Sequence, residues 1–345
     1  MFKTGIRYAV FVLLMAAIGI LLAILSGICN GLFTAPMKLE SRWKWENIWF
    51  VFILVACVAM PCCFVFAAVP QWRAVFAAAP SRAVLSAIFF GFAWGFGAIC
   101  FGRSVDRLGV SIANTLVIGL SSALGSLVPL LLAGALRFDV RQMVLFTGIL
   151  SFLIGVWLCG EAGRLRDGST GLAAPMTGYI FATIAGVMSA VFNIGYALAL
   201  PIADAGIRIG YSRFAATNCI WLLMLAAGSV PNIVYCLLLM RRNKTAKLIF
   251  SPSALRAWGL SIAMGLLWGG SIFLYGAATP RLGDIGPSVG WPLSLAVGLL
   301  VANLMGALLG EWRGVSPTAI RKMNLGISTL LLAIVMCAIS TQLKG

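Results

Sequence analysis

The chain has 345 residues, 61% of them hydrophobic and only 10% charged, with a mean hydropathy of +1.03. A soluble domain carries roughly a quarter charged residues, so water is excluded as the main solvent and a lipid bilayer takes its place. Basic residues outnumber acidic ones 25 to 9, a net charge of +16. They are scattered over loops, which fits membrane orientation and headgroup contact and sets nucleic acid aside as a partner.

Polar breaks divide the sequence into ten apolar runs, at about 9–37, 46–69, 83–101, 110–135, 142–160, 175–201, 214–240, 254–278, 285–309 and 321–341. Each is long enough for a transmembrane helix, and their continuity, without alternation, excludes a β-barrel. The first run follows Lys3 and Arg7. Ala9–Met37 is too long for a signal-peptide core, so it is read as a span. Trp43, Trp45, Trp49, Trp72 and Trp312 fall near run ends, where an interfacial aromatic belt is expected. The nine cysteines all lie inside apolar runs and read as small hydrophobes. Histidine is absent, which removes His-based metal sites, His-containing triads and His proton relays. No metal or other cofactor is expected, and no clustered acids or soluble catalytic loop suggest an enzyme.

The third and eighth runs carry the same string. GFAWGFGAICFGRSVDRLG (Gly91–Gly109) and GLLWGGSIFLYGAATPRLG (Gly265–Gly283) share seven residues at a constant offset of 174, among them Gly91/Gly265, Trp94/Trp268, Gly95/Gly269 and Gly102/Gly276. Gly27 and Phe33 echo Gly186 and Phe192; Asn47, Trp49 and Pro61 echo Asn218, Trp221 and Pro231; Arg141 and Met143 echo Arg321 and Met323. The chain therefore divides into a first five-helix repeat, 1–170, and a second, 171–345. An odd number of spans per repeat makes the second enter from the opposite face. This predicts an all-α integral membrane fold of ten helices in two inverted repeats, the architecture of alternating access. Basic residues number 14 in the loops after odd-numbered runs and 10 in the termini and the other loops. By the positive-inside rule that margin places both termini in the periplasm.

Candidate functional residues follow from what hydrocarbon tolerates. Gly91 and Gly95, like Gly265 and Gly269, are spaced four apart and let helix backbones approach closely, either as static packing or as a gating face. Trp94 and Trp268 lie in mid-run, as core packing or as the aromatic walls of a central solute site. Asn30, Asn114, Asn193, Tyr196 and Tyr275, with Asn218 and Asn303, are polar groups in apolar runs, serving as interhelical glue or as ligand contacts. With no Arg or Lys at mid-run, this set suits a neutral polyhydroxylated solute, and the tryptophan faces suit the C–H face of a sugar. Proton coupling needs a titratable carboxylate in the path. Glu46, in WKWENIW, is the leading candidate, because aromatics flank it where an apolar face begins. Asp106, Asp204 and Asp284 are weaker rivals, and Glu311 more often pairs with a loop arginine such as Arg313.

PMKLESRWKWENIW (Pro36–Trp49), FGFAWGFGAICFGRSVDRLGVSIAN (Phe90–Asn114) and LLGEWRG (Leu308–Gly314) resemble the L-rhamnose–proton symporter family, within the drug/metabolite transporter superfamily. The resemblance covers about Ile20 to Ile339. It implies a ten-helix carrier of the bacterial inner membrane that imports a deoxyhexose with a proton. An exporter or facilitator of another small polar solute on the same fold is the alternative.

Overall fold

A computed structural model describes the backbone of all residues except 1, 41, 109, 133, 135, 138, 167, 169–175, 252–253, 284–285, 309, 311 and 344–345, and the side chains of these save 2–12, 38, 105–106, 110–112 and 114. Ten long helices form the described chain: α1 (Phe2–Leu32), α2 (Trp45–Ala68), α3 (Ser81–Leu108), α4 (Val110–Leu132), α5 (Val140–Arg166), α6 (Met176–Ile209), α7 (Arg213–Asn243), α8 (Leu255–Ala278), α9 (Gly286–Leu308) and α10 (Pro317–Ser340). All ten are long and apolar enough to cross a membrane. No strand occurs among the described residues. Leucines and aromatics such as Leu21, Phe89, Phe96, Trp157 and Leu332 stand on the outer surface. A soluble monomer does not expose apolar surface on this scale, whereas lipid covers it.

The apolar runs locate the helices but not their ends. α3 continues past the run ending near 101, through Arg103 and Arg107 to Leu108. α6 continues through Pro201, Asp204 and Arg208 to Ile209. At about 1.5 Å per residue such helices exceed the roughly 30 Å hydrocarbon core, so their polar ends extend beyond it. The caps are local chemistry. Ser212 and Ser316 accept hydrogen bonds from the backbone N–H of Ala215 and Ala319, at 3.2 and 3.3 Å. α7 ends where Lys244 adopts φ 57°, and the N–H of Thr245 returns to the carbonyl of Met240 at 3.0 Å. That reversal carries Thr245 back beside the start of α2.

α2 contains a wide turn over Leu54–Ala59, in which the N–H of Met60 reaches the carbonyl of Val55. The turn stands directly before Pro61, whose missing N–H and bulky ring disturb the preceding ladder. α7 stays helical through its own Pro231.

The principal helix pairs are α3 with α6 and α7, α8 with α1 and α2, α1 with α9, α4 with α6, α4 with α5, and α9 with α10. Exchanging α1–α5 for α6–α10 maps this set onto itself, while α2–α7, α4–α9 and α5–α10 pair each helix with its own counterpart. One departure stands out: α6 packs on α7, but α1 makes no comparable contact with α2.

The glycine pairs allow close approaches. A Cβ on Gly91 would lie 2.3 Å from the carbonyl oxygen of Met224, and one on Gly95 2.4 Å from that of Gly228, so α3 sits directly on α7. On the other side a Cβ on Gly265 would lie 2.6 Å from Cβ of Val55, and one on Gly269 2.5 Å from Sδ of Met60, so α8 sits on the wide turn of α2.

Candidate functional site

The buried centre of the molecule is aromatic. Trp94 of α3 and Trp268 of α8 stack with ring centroids 5.3 Å apart and planes 14° from parallel. Trp268 meets Phe52 of α2 edge-on at 5.8 Å, and Phe52 leads through Trp49 to Trp45. On the other side Trp94 packs on Phe192 of α6 at 4.9 Å, and Phe192 stacks on Trp221 of α7 at 5.6 Å. Trp221 lies flat on Tyr196, with centroids 4.5 Å apart and planes 3° from parallel, and Tyr275 closes the column against Trp291 of α9. Five helices, α2, α3, α6, α7 and α8, thus supply one continuous column ending on α9. Trp94 and Trp268 are half-buried; Trp221, Tyr196 and Tyr275 are fully buried.

The structure therefore joins the two tryptophans predicted from the repeat, and closes their faces on each other. The same column takes in Trp49, one of the tryptophans near a run end. It lies one turn inside α2, and its indole N–H donates to Oδ1 of Asn232 on α7 at 3.1 Å. Asn232 in turn donates to the carbonyls of Gly95 and Gly228, at 3.1 and 3.0 Å. An indole packed between helices takes a protein acceptor for its N–H.

Three further predicted residues meet below the column. The amide nitrogen of Asn193 donates to the carbonyls of Gly125 (2.7 Å) and Pro287 (3.2 Å), and its oxygen accepts from the hydroxyl of Tyr275. The Tyr196 hydroxyl donates to Oγ1 of Thr279 at 2.9 Å, since that oxygen's own proton goes to the carbonyl of Tyr275, also at 2.9 Å. In this conformation Asn193, Tyr196 and Tyr275 clamp α4, α6, α8 and α9 together, with their main polar capacity satisfied by the chain. Ser121, Ser189 and Trp291 extend the polar seam, Ser121 bonding to Ser189 at 2.8 Å and accepting from the Trp291 indole at 3.2 Å. Asn30 stands elsewhere, its amide against Gly298 of α9. Asn303 bonds within its own helix, to the carbonyl of Leu299 at 2.9 Å. The side chains of Asn114 and Asp106, and residues Asp284 and Glu311, lie outside the described residues.

Glu46 is 5% exposed, at the first turn of α2. Its Oε1 accepts from the amide of Asn243 and the hydroxyl of Thr245, both at 2.9 Å, and both on the C-terminal end of α7. Asn47 beside it donates to the carbonyl of Thr245 at 3.1 Å and accepts from the N–H of Lys44 at 3.3 Å. Trp43 completes the junction, donating to the carbonyl of Leu248 at 3.2 Å. The acid is thus built into a latch between α2 and α7 and is held there by neutral donors. Asp204 is exposed, and Glu161 is engaged by Arg164 at 2.8 Å and Lys322 at 3.4 Å.

Sequence reasoning did not select Trp221, Trp291, Phe192, Asn232 or Thr279. Trp221 was visible as the echo of Trp49, but periodicity alone does not say which aromatic turns inward.

Comparison with known proteins follows this geometry. A crystal structure aligns with a TM-score of 0.55 at 13% identity, over 92% of this chain and 98% of that one, which establishes likeness of fold. The L-rhamnose–proton symporter of Escherichia coli O1:K1 / APEC is 25% identical over 316 residues, 87% of this chain and 91% of that protein. That of Yersinia pestis (strain Pestoides F) is 25% identical over 331 residues, 92% and 95% of the two chains. The profile of the L-rhamnose-proton symport protein family matches residues 13–342, nearly the whole length, and this chain belongs to that family.

Proposed function

We propose that this protein imports L-rhamnose or a closely related deoxyhexose together with a proton, by alternating access. The observation that carries the reading is the stack of Trp94 on Trp268, one tryptophan from each half, at the centre of a chain belonging to a symport family. Aromatic faces suit the C–H face of a sugar, and half-buried rings at the junction of two repeats sit where carriers bind their solutes. The family is one of carriers, not enzymes. Lipid, sugar and proton are the partners this requires.

The helix pairing that exchanges onto itself supports residues 1–170 and 171–345 as two five-helix repeats inserted in opposite directions, as in the drug/metabolite transporter superfamily. The membrane is the bacterial inner membrane, with both termini on one face, periplasmic by the distribution of basic residues. The glycine contacts, Gly91 and Gly95 on α7 and Gly265 and Gly269 on α2, are the smooth surfaces over which the bundle rocks. Trp94, Trp268, Asn193, Tyr196 and Tyr275 form the solute route.

Glu46 couples the proton. Ionised, it draws Asn243 and Thr245 through charge-assisted hydrogen bonds. Protonated, it holds them only as a neutral acceptor, and the α2–α7 latch loosens. One charge crossing about 100 mV supplies roughly 2.3 kcal/mol, which supports a solute gradient of about 50-fold. The test is uptake of labelled L-rhamnose and a panel of deoxyhexoses into vesicles, with and without an imposed proton gradient. Accumulation of none of them refutes the assignment.

A further inference from the structure

Two buried polar side chains of α7 have polar atoms without a partner among the described residues. Asn218 is 1% exposed, and neither its amide nitrogen nor its oxygen makes a hydrogen bond. Trp221, three residues on and on the same face of α7, is 0% exposed, and its indole N–H is likewise unpartnered. That N–H points at Gly276 of α8, where a Cβ would lie only 2.3 Å from Nε1. Native interiors rarely leave such groups bare, because each forfeits its hydration for nothing. The repeat supplies an internal comparison. Asn47 and Trp49, the counterparts on α2, are both satisfied by the chain, Asn47 by Lys44 and Thr245 and Trp49 by Asn232. The same pair of residue types is structural in one half and unspent in the other.

We infer that Asn218 and the indole N–H of Trp221 are solute-binding groups, reached when α7 parts from α8 at Gly276. The inference deepens the sugar-import reading and rests on it. An amide offers two donors and an acceptor, the indole one donor and a flat face. Together they match neighbouring hydroxyls on a neutral polyhydroxylated ring, with Tyr196 and Tyr275 as the side walls. Gly276 keeps the spot clear, since any side chain there would fill it.

The test compares wild type with Asn218→Leu and Trp221→Phe in proteoliposomes, measuring the KM for L-rhamnose uptake and thermal unfolding of the purified protein. A solute contact predicts a KM raised about ten-fold in each variant, the scale of one lost hydrogen bond, with the unfolding temperature of Asn218→Leu unchanged or higher. Wild-type KM in both variants overturns the inference. So does a fall in the unfolding temperature of Asn218→Leu, or loss of that folded protein, since an amide without a partner stabilises nothing; Trp221→Phe is read by KM alone, because trimming a buried, stacked ring costs packing in any case. A wild type inactive on every deoxyhexose defeats the import reading instead. The unfolding measurement then still decides whether Asn218 has a structural partner.

Discussion

Glu46→Gln removes the ionisable group and leaves the shape of the latch in place. The glutamine carbonyl stays within reach of the Asn243 amide and the Thr245 hydroxyl, which both lie 2.9 Å from Oε1. Each bond falls from the charge-assisted class, about 1.5–3 kcal/mol, to the neutral class, about 0.5–1.5 kcal/mol. Two bonds together lose about 2–3 kcal/mol, from which the relief of desolvating a carboxylate is subtracted. The net cost is of order 1 kcal/mol, so the latch opens several-fold more often and the bundle remains folded. Coupling, by contrast, is lost altogether. A wild type driven by about 100 mV sustains roughly 50-fold accumulation; the variant equilibrates solute without concentrating it. The assay is paired, with accumulation under a proton gradient and counterflow exchange without one, in the same vesicles. Retained exchange with no accumulation is the expected result. Accumulation at the wild-type level would falsify the assignment of Glu46 to the proton.

Gly95→Ala places a Cβ 2.4 Å from the Gly228 carbonyl and should lower stability by about 1–3 kcal/mol through overpacking. Gly259→Ala, in the same kind of helix with open space around it, should raise stability by about 0.5–1 kcal/mol; thermal melts read both signs. Tyr275→Phe leaves Oδ1 of Asn193 without its donor, and a loss of about 1–3 kcal/mol is expected in the same melt. An unchanged melt would show that the α6–α8 clamp contributes nothing. Trp268→Ala removes the stacked face of Trp94 and should raise the KM for sugar more than it lowers stability, because Trp268 is only half-buried. Loss of folded protein with unchanged KM in the remainder would assign the pair to packing.

Much of this was legible in the one-dimensional pattern. Hydrophobic run length alone set the number of spans, because a helix satisfies its own backbone in lipid and nothing shorter crosses. The run boundaries missed the charged ends of α3 and α6, since a helix continues past the hydrocarbon wherever its backbone bonds continue. Trp94 and Trp268 were legible because the repeat marks them twice. Glu46 stood out because acids are so few, but its partners Asn243 and Thr245 did not. The partner of Trp49, Asn232 on α7, was not legible, since position near a run end does not say which neighbouring helix meets the indole.

What the amino-acid sequence determined by itself was therefore the solvent, the span count, the internal echo and the short roster of polar groups that hydrocarbon makes expensive. Each follows from local composition or from matching the chain against itself. Only the tertiary structure decided which of those groups are already satisfied. Asn193 and Tyr275 bond across four helices, Asn47 and Trp49 find partners on or beyond α7, and Asn218 and Trp221 find none among the described residues. A hydrogen bond joins atoms far apart in the chain at separations near 3 Å. Residue type and spacing along one helix carry no information about what the neighbouring helix presents there.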